Sequence, residues 1–234
     1  MKKIVLFLIF IFTAGSLKAQ YALGTTGQSM IPTAEMQRTG TFMGGANFLP
    51  EQITPMDFDY PTLNYYVNMT LFSFVELGYR LTLYKLPNRD GTSSYRNQDR
   101  SSTIRIRVLK EGKYFPALVV GMDDIFSEGS ASGYWGSYYG VITKTLKSGA
   151  GDEWALTVGG YIPHAKNAFN KGPFGGIRYT PAFCPDLKLM AEYDSHGWNM
   201  GGAMRFWKHL SVNVFTREFT CVSAGIRYEC TLIH

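Results

Sequence analysis

The sequence predicts an all-β protein: an up-and-down antiparallel transmembrane β-barrel of about twelve strands, its N-terminal segment a candidate plug for the lumen. Three observations predict it. Apolar and polar residues alternate with period two over runs of about ten, the length at which a tilted strand crosses a bilayer. The connections between these runs alternate long and short. The chain also opens with an export signal.

That signal decides which solvent the side chains meet. Lys2 and Lys3 precede the apolar run Ile4 to Phe12, and the small-residue end SLKAQ follows, the three parts of a secretory signal peptide. The run falls short of the roughly 20 apolar residues a spanning helix needs. Cleavage is expected after Ala19, and the next residue is Gln20 rather than Cys, so no lipid anchor is expected at this site. Removing residues 1–19 takes away Lys2, Lys3 and Lys18, and the formal charge falls from +5 to +2. The basic balance therefore gives no reason to expect a nucleic-acid partner. Residues 20–39 form an expected periplasmic or plug segment, Gly-rich and without strand periodicity, and residues 40–234 the barrel. The expected location is the outer membrane of a Gram-negative bacterium.

The clearest strands come first. Leu63, Tyr65, Val67, Met69 and Leu71 alternate with Asn64, Tyr66, Asn68 and Thr70. After a turn at Ser73, Val75, Leu77, Tyr79, Leu81 and Leu83 alternate with Glu76, Gly78, Arg80, Thr82 and Tyr84, completing a hairpin. The same pattern recurs in 103–108, 187–194, 198–206 and 222–228. Strands near 42–48, 115–122, 138–146, 154–161, 174–180 and 210–217 fit it less cleanly.

A secreted β-sandwich shares this parity, so connection lengths arbitrate. They run long (49–61), short (72–74), long (86–101), short (110–113), long (125–136), short (147–152) and long (163–172), and only the last turns are uniformly brief. Such alternation belongs to a barrel with unlike rims. Aromatic residues, 15% of the chain, cluster at expected strand ends, among them Phe48, Tyr60, Phe72, Phe74, Tyr114, Trp154, Trp198 and Trp207, as in the girdles of membrane barrels.

If the apolar faces meet lipid, the opposite parity lines the interior. The charged candidates there are Arg80, Arg105, Arg107, Asp123, Lys188, Glu192, Asp194, Arg205 and Arg227, with Glu76, Lys144, Arg178, Arg217 and Glu229 at matching positions. Paired charges make a plugged, rigid core, whereas surplus positive charge around water attracts anions. Catalysis would need a nucleophile beside a base, and His196 follows Ser195 in a way that a tight turn explains. Glu192 and Asp194 share a face, which suits either acid/base chemistry on a sugar or salt bridges. Asp123 and Asp124 alone make a weak cation site. No zinc spacing or phosphate loop is present, and the cysteines, Cys184, Cys221 and Cys230, form neither a metal pattern nor a disulfide framework. No catalytic residue, metal or cofactor is expected.

Four stretches in order carry a resemblance: GTTGQSMIPTAEMQRTG, FPALVVGMDDIFSEG, YYGVITKTL and LKLMAEYDSHGWNMGGAMRF. Together they resemble the YjbH-type exopolysaccharide-biosynthesis proteins. The resemblance marks Gly24, Gly27, Pro32, Gly121, Asp124, Glu192 and Asp194 as recurrent positions without assigned roles. It implies an outer-membrane barrel linked to exopolysaccharide or capsule export or surface assembly, with no established catalytic activity. The partners it implies are membrane lipid and either polysaccharide or other envelope proteins. A lipid- or glycan-modifying enzyme and a structural docking barrel are the alternative readings.

Overall fold

The computed structural model describes residues 21–55, 58–126, 133–166 and 168–232. The expected signal peptide and His234 lie outside them. Twelve strands follow one another along the chain: β1 Thr41–Leu49, β2 Thr62–Phe72, β3 Val75–Pro87, β4 Ser93–Leu109, β5 Ala117–Met122, β6 Ser137–Lys147, β7 Glu153–Pro163, β8 Gly172–Thr180, β9 Leu187–Tyr193, β10 Trp198–Phe206, β11 Leu210–Arg217 and β12 Cys221–Thr231. Each pairs antiparallel with its chain neighbours, and β1 pairs with β12 from Thr41↔Thr231 to Phe48↔Ala224. The sheet is a closed up-and-down barrel without a free edge. One 3-10 turn, Glu51–Ile53, follows β1.

Parity decides which side chain goes where, and it places polarity inside. On β2 the inward residues are Asn64, Tyr66, Asn68 and Thr70, all buried, while Leu63 and Val67 stand exposed outside. The same inversion runs round the barrel: Val120, Ile142, Leu156, Val158, Leu189, Met200, Val214, Val222 and Ile226 face outward and exposed. The apolar band is bordered at the short-turn rim by Phe72, Phe74, Tyr114, Trp154, Phe183 and Trp207, and at the loop rim by Phe48, Tyr138, Trp198 and Phe219.

Rim asymmetry is weaker than the sequence suggests. The expected connection 86–101 is mostly strand, since β4 begins at Ser93 and pairs with β3 up to Pro87↔Ser93. A five-residue turn remains. The run SSYRNQDRSS hides its strand character because it is polar on both faces, so no alternation shows. Two other turns are invisible for a different reason. Trp207–Lys208 and Glu218–Phe219 take positive φ, in positions that Gly or Asn usually occupies.

Inward glycines let rings press against the wall. A side chain on Gly121 would run into the Tyr139 ring, which lies flat over that backbone across the β5–β6 pair. All three cysteines are free thiols.

Candidate functional site: a lumen filled by the N-terminal segment

Residues 21–37 run inside the barrel, and every one of them is buried. None of these residues lies in a helix or strand, and Gly27 and Pro32 form a bridge within the segment. A buried backbone without strand or helix needs partners from elsewhere, and here the wall supplies them.

Arg105 on β4 makes the densest set. Its Nη1 donates to Thr26 O at 2.6 Å and pairs with Glu76 Oε2 at 3.1 Å, while Nη2 donates to Thr33 O and, at 3.3 Å, to Glu35 O. Glu76 on β3 in turn accepts the Thr26 N–H at 2.8 Å and Asn68 Nδ2 at 2.9 Å. Across the lumen, Glu192 on β9 accepts the N–H groups of Ser29, at 3.1 Å, and Met30. Asn47 and Asn64 both donate to Ala22 O, at 2.9 and 2.6 Å. Thr143 Oγ1 accepts from Ala34 N at 2.8 Å. Arg178 on β8 holds Glu35 through both guanidinium nitrogens, one of them at 2.9 Å, and reaches Glu153 at 3.3 Å. Gly24 adopts φ +97°, and its backbone lies against the Tyr66 ring, where a Cβ would come within 2.6 Å of Cδ2.

The loop end of the plug is apolar. Tyr21, Ala22, Leu23 and Met30 pack with Leu49, Ile53, Trp135 and Phe215, so the loops close over the segment. The Tyr21 hydroxyl bonds Tyr161 OH and receives Asn170 Nδ2, both at 3.2 Å.

A second group of charges braces the loop rim. Asp124, with φ 58°, accepts Arg80 at 2.7 Å, the Ser101 hydroxyl and the Trp135 N–H at 3.0 Å. Asp194 closes the β9–β10 turn, accepting His196 N at 3.1 Å, Gly197 N at 3.0 Å, Asn199 Nδ2 at 2.9 Å and the Arg217 guanidinium. Asp123, just past β5, accepts Thr103 Oγ1 at 3.0 Å. Burial lifts its carboxyl to about 7, with Arg80 offsetting part of the rise and Asp124 adding to it. A raised carboxyl favours the folded state below its unfolded value near 4, and that contribution fades as pH climbs through 7. Asp123→Asn is therefore expected to flatten the pH dependence of barrel stability between pH 4 and 7. An unchanged profile of unfolding midpoints in detergent would contradict it.

The remaining expected residues sort by depth. Arg80, Arg105, Asp123, Lys188, Glu192, Asp194 and Arg227 are buried inside. Lys188 donates to Thr180 Oγ1 at 2.9 Å, and Arg227 pairs with Glu229 at 3.0 Å. Arg107 and Arg205 are partly exposed at the short-turn rim, Arg205 pairing with Asp186 at 2.5 Å. Gly24, Gly27 and Pro32 belong to the plug, Gly121 and Asp124 to the wall around it. Among the described residues the buried charges number eight carboxylates and six cations, so the interior has no positive surplus. His196 Nε2 bonds Phe169 O at 2.7 Å, and its ring stacks on Phe169 rather than addressing Ser195.

Sequence reasoning missed Glu35, Asn47 and Asp99. Glu35 sits in the segment without periodicity, so parity could not place it. Its one signal was being the sole acid in the run from Tyr21 to Gly40.

A twelve-stranded up-and-down barrel whose lumen is occupied by its own N-terminal segment defines a class of plugged β-barrel proteins. The family model for the exopolysaccharide biosynthesis protein YbjH matches residues 19–230, which takes in both plug and barrel. The chain belongs to this YjbH family. No curated protein matches it significantly.

Proposed function

We propose that this protein is an outer-membrane barrel serving exopolysaccharide export or surface assembly as a plugged, non-catalytic component rather than as a passive pore. The observation that carries the reading is how the interior charges are used. Arg105, Glu76, Glu192 and Arg178 are engaged with the backbone and the single carboxylate of residues 21–37, so they hold a segment in place instead of lining a water column. The outward apolar band between two aromatic borders supports membrane insertion, because only hydrocarbon satisfies such a surface. In that orientation the short turns face the periplasm and the loops face outside. Polysaccharide or other envelope proteins would then meet the protein at its loops.

The test combines fractionation, electrophoresis and bilayer recording. The chain is expected in the outer-membrane fraction, to migrate faster unheated than heated, and to give no steady conductance in planar bilayers. A strain lacking it should lose surface polysaccharide. A buffer-soluble folded protein would sink the membrane reading, and a steadily conducting wild type would sink the plugged one.

A further inference from the structure

The outward face of the barrel is not uniform. On β6 and β7 two glycines, Gly140 and Gly160, stand directly opposite each other in register, and both point outward. Where their neighbours project branched side chains, this pair projects none. The result is a groove of about 430 Å³ over Gly140, walled by Ile104, Ile106, Val120, Met122, Tyr138 and Ile162. A volume of this size is in the range of small-molecule sites. Its surface is almost wholly hydrocarbon, so no sugar or ion has a partner inside it.

Position identifies the occupant. Met122, Tyr138 and Ile162 are at or next to the loop ends of β5, β6 and β7, which places the groove in the loop-side half of the band. On the reading above, on which this inference rests, that half lies in the outward leaflet. In a Gram-negative outer membrane the outward leaflet is built from an acylated, phosphorylated glycolipid. The rim carries matching charge: the strand that ends with Ile162 and Pro163 continues to His164, whose ring packs on Tyr138 at 5.0 Å, and to the exposed Lys166. No carboxylate among the described residues ion-pairs with Lys166. We propose that the groove is a specific lipid site, holding one acyl chain of this anionic glycolipid while Lys166 faces its phosphate.

Geometry provides an unusually clean test. A Cβ built on Gly140 meets nothing within 4 Å, so Gly140→Leu fills the groove without straining the strand. The protein is purified in mild detergent from outer membranes, and bound lipid is counted by native mass spectrometry. Wild type is expected to carry the glycolipid, and Gly140→Leu to lose it, since the leucine side chain takes up the volume the acyl chain would fill. Lys166→Gln should lower retention about fivefold. Val214→Leu, outward on β11, should change nothing. The proposal is overturned if Gly140→Leu retains as much glycolipid as wild type, if only phospholipid is bound, or if wild type carries no lipid while still migrating as a heat-modifiable barrel. Loss of heat-modifiable migration in wild type would instead overturn the membrane reading, and the groove with it.

Discussion

Arg105→Ala is expected to unseat the N-terminal segment and open the barrel. The guanidinium is fully buried and serves three carbonyls of the segment together with Glu76. Removing it leaves those carbonyls without a donor and leaves the Glu76 carboxylate buried without its counter-charge. Breaking such a pair from one side costs about 3–5 kcal/mol, mostly as the penalty on the charge left behind. The strands lose no ladder hydrogen bond, so the wall should survive. The variant should still run as a heat-modifiable band, unfold at a lower temperature, and pass ions in planar bilayers where wild type is expected to pass none. Adding Glu76→Gln should recover part of the stability without closing the lumen, because the stranded charge is gone and the missing donors are not. An Arg105→Ala protein as closed and as stable as wild type would show that the segment is held by something else.

Gly24→Val should reach a similar state from the other partner. The left-handed backbone at Gly24 costs a non-glycine residue about 1–2 kcal/mol, and more for a β-branched one. The new side chain would also enter the Tyr66 ring, which is buried and held against the β1 backbone at Gly45. Together these should exceed what the loop end of the plug can absorb. Limited proteolysis checks it: new cleavage within residues 21–37 is expected, with the barrel itself resistant. Tyr66→Ala in the same chain should restore only part of the protection, since it removes the clash and leaves the strained φ. Equal resistance in wild type and Gly24→Val would refute the tight seating described here.

Much of the barrel was legible along the chain because a strand in a two-sided environment writes its orientation in every second residue. Residues 63–83 show both hairpin strands and their facing this way, and Arg80, Arg105 and Glu192 fall on the inward parity with no reference to anything distant. The rule fails where the environment stops being two-sided. Residues 93–102 of β4 are polar on both faces, so their strand went unseen, and Asp99 with it. Asp99 lies inside, opposite Thr82, its carboxylate oxygens without a hydrogen-bond partner among the described residues. The turns at Trp207–Lys208 and Glu218–Phe219 were legible in place but not in kind, since no glycine marks their positive φ.

The plug is the harder case. Glycine content and missing periodicity set residues 20–39 apart from the barrel, but nothing local joins Glu35 to Arg178 or the Ser29 and Met30 amides to Glu192, pairs separated by more than a hundred residues.

From the sequence alone follow the all-β class, the strand parity, the strand number and many of the inward charges, because each depends on the solvent on either side of one strand. Lys144, expected inside, instead faces out from β6 beside Thr143 and pairs with Glu111. Only the tertiary structure decides what those charges hold. A buried guanidinium or carboxylate needs a partner, and whether that partner is water, another wall residue or a backbone group of the N-terminal segment is settled by what closure of the sheet brings within 3 Å, which no single strand encodes.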